Sequence, residues 1–127
     1  AEHGVYAGLE LEVRVHEAIA GAMSGFDALL CPTLGTIGYL AGDDYTETKL
    51  SIGGQEVSEY FVGCQTFPFN IASKHPVLAV PSGRASNGVP TGVQIVAPTY
   101  DDVTAFRIGA AAERQLGWWH DPAWRPG

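Results

Sequence analysis

Pro76-Val77-Leu78-Ala79-Val80-Pro81-Ser82-Gly83 and Gly92-Val93-Gln94-Ile95-Val96 are the stretches on which the reading of the fold turns. Each holds a short run of aliphatic, largely β-branched residues bounded by Gly or Pro, which is how a strand announces itself. Val77 to Val80, closed by Pro81, reads as a strand buried on both faces. The polar link from Ser82 to Pro90 suits an antiparallel return. Upstream, Ala28-Leu29-Leu30-Cys31 ends at Pro32 and reads as a third buried strand.

Helices flank these strands. Val5, Leu9, Val13, Ile19 and Met23 recur every three to four positions, predicting a helix over 5–24 that Gly25 stops. Thr99-Tyr100-Asp101-Asp102 fits a capping box before a helix running to about Leu116. Val103, Phe106 and Ala110, with Ile108, Ala112 and Leu116, form the face expected to lie on the sheet. Between the first two strands come a glycine-bearing loop over 34–46 and a hairpin from Lys49 to Val57 turning on Gly53-Gly54. Ser58 caps a short helix from Glu59 to about Gln65, which Pro68 breaks or re-aims. The aromatic tail around Trp118, Trp119 and Trp124 is expected to pack back onto the body. The fold class is α/β, with few strands and two main helices. Three strands are few to cover on both faces, so residues 1–127 are expected to be one globular piece of a larger sheet.

Composition narrows the function. The chain has 127 residues, enough for one domain, and seven basic against fourteen acidic residues give a net charge of −7. That balance speaks against a nucleic-acid partner, which needs clustered Lys and Arg. No apolar run approaches the ~18 residues of a membrane span, and no charged-then-apolar leader opens the chain. Cys31 and Cys64 do not make a disulfide framework, so free buried thiols in a cytoplasmic setting are expected. The chain begins at Ala1 rather than Met, which points to processing, a tag scar or truncation.

Self-contained chemistry is hard to find. None of the serines sits in a Gly-x-Ser-x-Gly elbow, and no Ser-x-x-Lys pair exists. Cys31 ends a strand, where a thiol is inert packing, and nothing positions Cys64 beside His75. The histidines and cysteines show no metal-ligand spacing, so neither a metal nor another cofactor is expected. Tyr39, Tyr45, Tyr60, Phe61, Phe67 and Phe69 serve as core and loop anchors or line an apolar pocket.

One longer pattern is more specific. Phe26-Asp27-Ala28-Leu29-Leu30-Cys31-Pro32-Thr33 resembles the D-x-L-L-x-P-T strand of amidase signature enzymes. Thr66-Phe67-Pro68-Phe69-Asn70-Ile71-Ala72, then Pro76 to Gly83, then Gly88-Val89-Pro90-Thr91-Gly92-Val93-Gln94-Ile95-Val96 resemble that family's following motifs, in order and at similar spacing. The helix ending Ala110-Ala111-Ala112-Glu113 and the Trp/Pro-rich finish match its C-terminus. The resemblance implies the C-terminal region of a longer enzyme, contributing strands to a mixed sheet sandwiched by α-helices.

Such enzymes hydrolyse amides with a Ser–cis-Ser–Lys triad. The family carries that triad upstream of the part this chain resembles, so no catalytic residue is assigned here. The implied contribution is part of the substrate pocket wall, with Tyr60, Gln65 and Phe67 as candidate substrate-binding residues and further contacts from the loop 34–46. Some glutaminyl-tRNA amidotransferase A subunits place an Asp where this chain has Gly63, seven residues before Asn70. That departure favours a less polar amide. Ala72-Ser73-Lys74-His75 also departs from the family's commoner x-G-x. The implied partner is a small amide, bound only with the N-terminal region, and the isolated piece is expected to form a homo-oligomer, a dimer being the simplest. The alternative is a non-catalytic assembly or binding module, or part of a pseudo-amidase.

Overall fold

A computed structural model describes residues 4–57, 60–117, 120 and 122. Its elements are α1 (Val5–Ala22), β1 (Leu29–Pro32), β2 (Leu50–Ile52), β3 (Gln55–Val57), a 3-10 turn (Tyr60–Gly63), α2 (Phe67–Ile71), β4 (Val77–Arg84), β5 (Pro90–Val96) and α3 (Asp102–Leu116). β5 lies at the centre of a three-stranded sheet ordered β1-β5-β4, and both of its pairings are antiparallel. β2 and β3 form the separate hairpin, with Gly53 at φ 59° and Gly54 at φ 80°. Two consecutive positive φ values match the twist of a two-residue hairpin turn, and glycine adopts them without a Cβ penalty.

Register assigns the faces. Leu30 and Leu78 both oppose Ile95, whereas Leu29 and Val77 both oppose Val96. Side chains alternate along a strand, so Ile95, Leu78 and Val80 share the face that carries α3. Val96, Leu29 and Cys31 share the other face, where α1 and α2 close a core of Ile19, Met23, Phe69, Ala72 and Val96. The sheet is thus sandwiched between helices within this one chain.

Several expectations are corrected. β1 and β4 are not buried on both faces: Leu30 and Val77 are exposed. β4 continues through Pro81 to Arg84, with a register shift between Pro81 and Gly83. An edge strand tolerates Pro because no neighbour asks for its N–H. α3 does not lie on the sheet by Val103 and Phe106, which are exposed at 67% and 64%; Ala105 and Gly109 face inward instead. A side chain at Gly109 would run into Leu78, so small residues let the helix lie directly on β4. The helix begins at an Asp101 cap that accepts from the Thr104 N–H, not at Thr99. In α1 only Ile19 is buried, whereas Val5, Leu9 and Val13 are exposed. Pro68 starts α2 instead of breaking a helix, since a first-turn N–H needs no partner. The chain reaches it through the 3-10 turn; Ser58, Glu59 and the tail tryptophans lie outside the described residues.

Candidate functional site

Gln94 organises the region that the sequence marks. It is a polar residue on the central strand, buried beside Val93 and Ile95. Its Nε2 donates to the carbonyls of Pro32 (3.0 Å) and Gln65 (3.1 Å) and lies 3.4 Å from the Cys31 thiol. One amide thus ties the end of β1 to the segment before α2. The backbone repeats the tie: Gln65 N–H donates to Thr33 O, Gly35 N–H to Gly63 O and Thr33 N–H to Gly92 O. Leu34 and Cys64 form an isolated antiparallel bridge. A buried amide leaves few of its groups unpaired at low cost, so this network fixes the loop geometry.

Two glycines permit that close approach. A Cβ on Gly35 would stand 3.1 Å from Ile52 Cγ2 and 3.2 Å from Gln65 Nε2. A Cβ on Gly63 would stand 2.6 Å from the Tyr39 hydroxyl, closer than real Cβ contacts come. Tyr39 is itself braced edge-on by Tyr45, ring centroids 5.1 Å apart, and the Tyr45 hydroxyl donates to the Leu40 carbonyl.

Beside this braced loop lies a cavity of about 430 Å³, formed where residues 32–38 cross Val89 and the first half of β5, residues 90–93, and meet Ser82 of β4. Ser82 sits at the register shift, its hydroxyl 3.0 Å from that of Thr91, while the Thr33 hydroxyl donates to Gly92 O. Bulges of this kind re-aim side chains and cluster at functional sites. The lining is mainly aliphatic, with hydroxyls and backbone amides as its polar groups and, among the described residues, no charged side chain. It can therefore hold an uncharged, partly apolar group and orient it through a few hydrogen bonds. A second crevice of about 560 Å³, between α3 and Asp27, carries Arg107 and Arg114 and is open and mixed in charge.

The residues expected at the site are not all gathered there. The first part of the loop 34–46, residues 34–38, lines the cavity. Gln65 stands behind that wall against Gly35, its side chain donating weakly to Val62 O at 3.5 Å. Phe67 is 45% exposed and packs edge-on against Phe61, centroids 5.9 Å apart, outside the cavity lining. Tyr60 opens the 3-10 turn, and its side chain lies outside the described residues. Ser82, Thr91 and Gln94 were not expected as site residues; a lone polar side chain inside an aliphatic strand was the available signal for Gln94. Both thiols are free and half-buried, and burial pushes the Cys31 thiol up, partly offset by its contact with Gln94. Such a thiol is a poor nucleophile at neutral pH. Among the described residues no three His, Cys, Asp or Glu side chains gather as a metal site, and no helix is long and apolar enough to cross a membrane.

Comparison with known proteins gives this geometry its relatives. Residues 5–106 match the sequence pattern of the Amidase family. The A subunit of glutamyl-tRNA(Gln) amidotransferase from Granulibacter bethesdensis is 31% identical over 106 residues, covering 84% of this chain and 19% of that protein. A bacterial aryl acylamidase of the amidase signature family superposes with a TM-score of 0.72 at 29% identity, over 100% of this chain and 27% of its own. The amidotransferase A subunit of Thermotoga maritima gives 0.65 at 27% identity, over 86% of this chain and 22% of its own. The chain therefore spans about a fifth of the length of the curated amidotransferase subunits it matches. A family pattern running from the first helix into the last, on a fold shared along the whole chain, places this protein in the amidase signature family.

Proposed function

We propose that this chain is the C-terminal part of an amidase that hydrolyses an uncharged carboxylic amide to an acid and an amine or ammonia. In this reading it supplies sheet strands and one wall of the substrate pocket, and the Ser–cis-Ser–Lys triad is carried by another part of the protein. The observation that carries the proposal is the cavity of about 430 Å³, with no charged side chain among the described residues, built on the strand ends and loop that hold the family's motifs. Gly63, where a carboxylate would meet the Tyr39 hydroxyl, supports an aryl or alkyl amide over a substrate with a free amino group. A serine of that triad adds to the acyl carbon, the C–N bond breaks as the leaving nitrogen takes a proton, and water then hydrolyses the acyl-enzyme ester to the acid; activation of the nucleophile needs a general base that Lys49 and Lys74 do not provide. Free thiols fit a cytoplasmic setting.

The test has two arms. Purified alone, the chain shows no turnover of aryl or aliphatic amides; turnover abolished by mutating one of its own serines would overturn the proposal. Joined to a segment bearing the triad, it hydrolyses neutral amides, and Gln65→Ala or Thr91→Val shifts the preference among them by about fivefold, the effect of one hydrogen bond. An upstream reading frame lacking both a Gly/Ser-rich signature and a preceding Lys would favour the second reading, a binding module or pseudo-amidase. As an isolated chain it self-associates, dimers being the simplest closed form, because Val5, Tyr6, Leu9, Val103 and Phe106 leave broad apolar surface uncovered. A monomer by sedimentation at high concentration would overturn that.

A further inference from the structure

Asn87-Gly88 sits at the tip of the turn that joins β4 to β5, where residues 86–90 are all exposed. Ala85 N–H donates to Val89 O and Gly88 N–H to Ala85 O, both at 2.9 Å, and Gly88 takes φ 82° to close the turn. The Asn87 amide works in two directions. Its Oδ1 accepts from the Val89 N–H at 3.2 Å, and its Nδ2 donates across to the carbonyl of Ile37 at 3.3 Å. Ile37, Gly38 and Val89 all line the cavity of about 430 Å³. The Thr36 hydroxyl bonds within its own loop, to Gly38 O. Among the described residues, the hydrogen bond that reaches Ile37 or Gly38 from outside the loop is the one from Asn87. One exposed side-chain amide therefore ties down that end of the wall.

An asparagine followed by glycine carries its own electrophile and nucleophile. The Gly88 nitrogen has no side chain to crowd it, and a Cβ placed there would meet nothing within 4 Å. The Val89 N–H draws electron density from the Asn87 Cγ carbonyl and stabilises the charge that forms on its oxygen during attack. The Gly88 N–H is engaged with Ala85 O, so attack waits for the turn to open. An exposed turn held by a few backbone bonds opens readily. The chain's other asparagine, Asn70, offers none of this: it lies inside α2 and precedes Ile71, whose branched Cβ crowds its own nitrogen.

We propose that Asn87-Gly88 is a self-modifying site, which converts to aspartate and isoaspartate and thereby releases the cavity wall at residues 36–38. The Gly88 nitrogen gives its proton to solvent and bonds to Asn87 Cγ; the Cγ–Nδ2 bond breaks and ammonia leaves. Water then opens the five-membered imide at either carbonyl carbon. The product carries a carboxylate, ionised at neutral pH, where an N–H donor stood. A carboxylate only accepts, so the bond to the Ile37 carbonyl is lost and oxygen faces oxygen. The cation at hand is Arg84, whose guanidinium donates to Gly88 O at 2.9 Å and so draws the new charge towards the turn and away from the loop. Ring opening to isoaspartate also lengthens the backbone of the turn by one carbon. The inference stands on the turn itself, whether or not the cavity takes an amide.

Peptide mapping by mass spectrometry, on the full chain aged in mildly alkaline buffer, tests the first step. Residue 87 converts to a mixture of aspartate and isoaspartate at least about tenfold faster than Asn70, because glycine leaves the attacking nitrogen open where isoleucine crowds it. An Asn87 as lasting as Asn70 overturns the site, as does conversion to aspartate without isoaspartate. Limited chymotrypsin digestion tests the release. Cleavage after Tyr39 or Leu40 runs about fivefold faster in aged than in fresh protein, the effect of one lost hydrogen bond. Asn87→Asp is cut at the faster rate from the start. Asn87→Ala, which neither donates nor cyclises, is also cut at the faster rate and does not change on ageing. Equal cleavage of fresh and aged protein overturns the release, and so does an ageing effect that persists in Asn87→Ala. Should the variants fail to fold, fresh and aged wild-type fractions separated by charge make the same comparison.

Discussion

α1 and α3 are the two long helices, and they meet the rest of the molecule in opposite ways. α3 lies along β4 on Ala105 and Gly109, so close that a side chain at Gly109 would collide with Leu78. It starts at an Asp101 cap and ends at Gly117 in the left-handed region, φ 56°. α1 has no side-chain cap among the described residues and is docked by its second half, through Val15 and Ile19 and the following Met23. Its first turns stand away, Val5 and Tyr6 being 80% and 84% exposed. α1 is the more apolar of the two, yet α3 is the better seated. Helix docking here follows how near a backbone can come, as much as how many large apolar groups it offers.

Substitutions can break that contrast, beginning with the largest effect. Gly109→Val forces α3 off β4 and lowers stability by about 3 kcal/mol, the upper end for overpacking, measurable by urea denaturation. Ile19→Ala removes the buried anchor of α1 and costs about 2 kcal/mol; its hydrogen-exchange signature is confined to α1 and α2 if the helices are as unequal as described. The α3 cap gives a smaller, pH-dependent effect. Bonds from the Thr104 hydroxyl and then its N–H, aided by Arg107, hold the Asp101 carboxyl below its usual range. A depressed carboxylate stabilises the fold above the unfolded value of about 3.9 and loses that contribution as pH falls through its folded value. Asp101→Asn therefore flattens the acid limb of the melting temperature. Leu9→Ser and Phe106→Ser change the stability of the monomer by no more than about 0.5 kcal/mol. They reduce self-association in sedimentation; a larger loss of stability would show that those faces are covered.

Local chemistry made much of this legible. Gly53-Gly54 between short apolar runs specifies its hairpin, and the aliphatic runs at 28–31, 77–80 and 92–96 all fall in strands of one sheet, the first shifted by one residue to Leu29–Pro32. What escaped depended on neighbours. Whether Pro81 ends a strand depends on whether another strand lies beside it. Whether Val103 or Gly109 faces the sheet depends on the distance between backbones, which periodicity does not encode. The wall of the cavity was legible in part: residues 34–38 line it, but the Ser82–Thr91 hydroxyl pair arises from a register shift that only the paired strands create. Gln94 was visible as a motif letter, and its three-way tie became apparent only when β1, β5 and residue 65 were brought together.

The contact between Gly63 and the Tyr39 hydroxyl makes the two positions structurally dependent on each other. Gly63→Asp alone meets a phenol that Tyr45 braces from behind. Tyr39→Ala alone empties the space above a bare glycine. Either first step is penalised, whereas the two together exchange a hydroxyl delivered by the loop for a carboxylate delivered by the turn. The cost of the double substitution is therefore expected to fall below the sum of the two single ones, because groups in contact are energetically coupled.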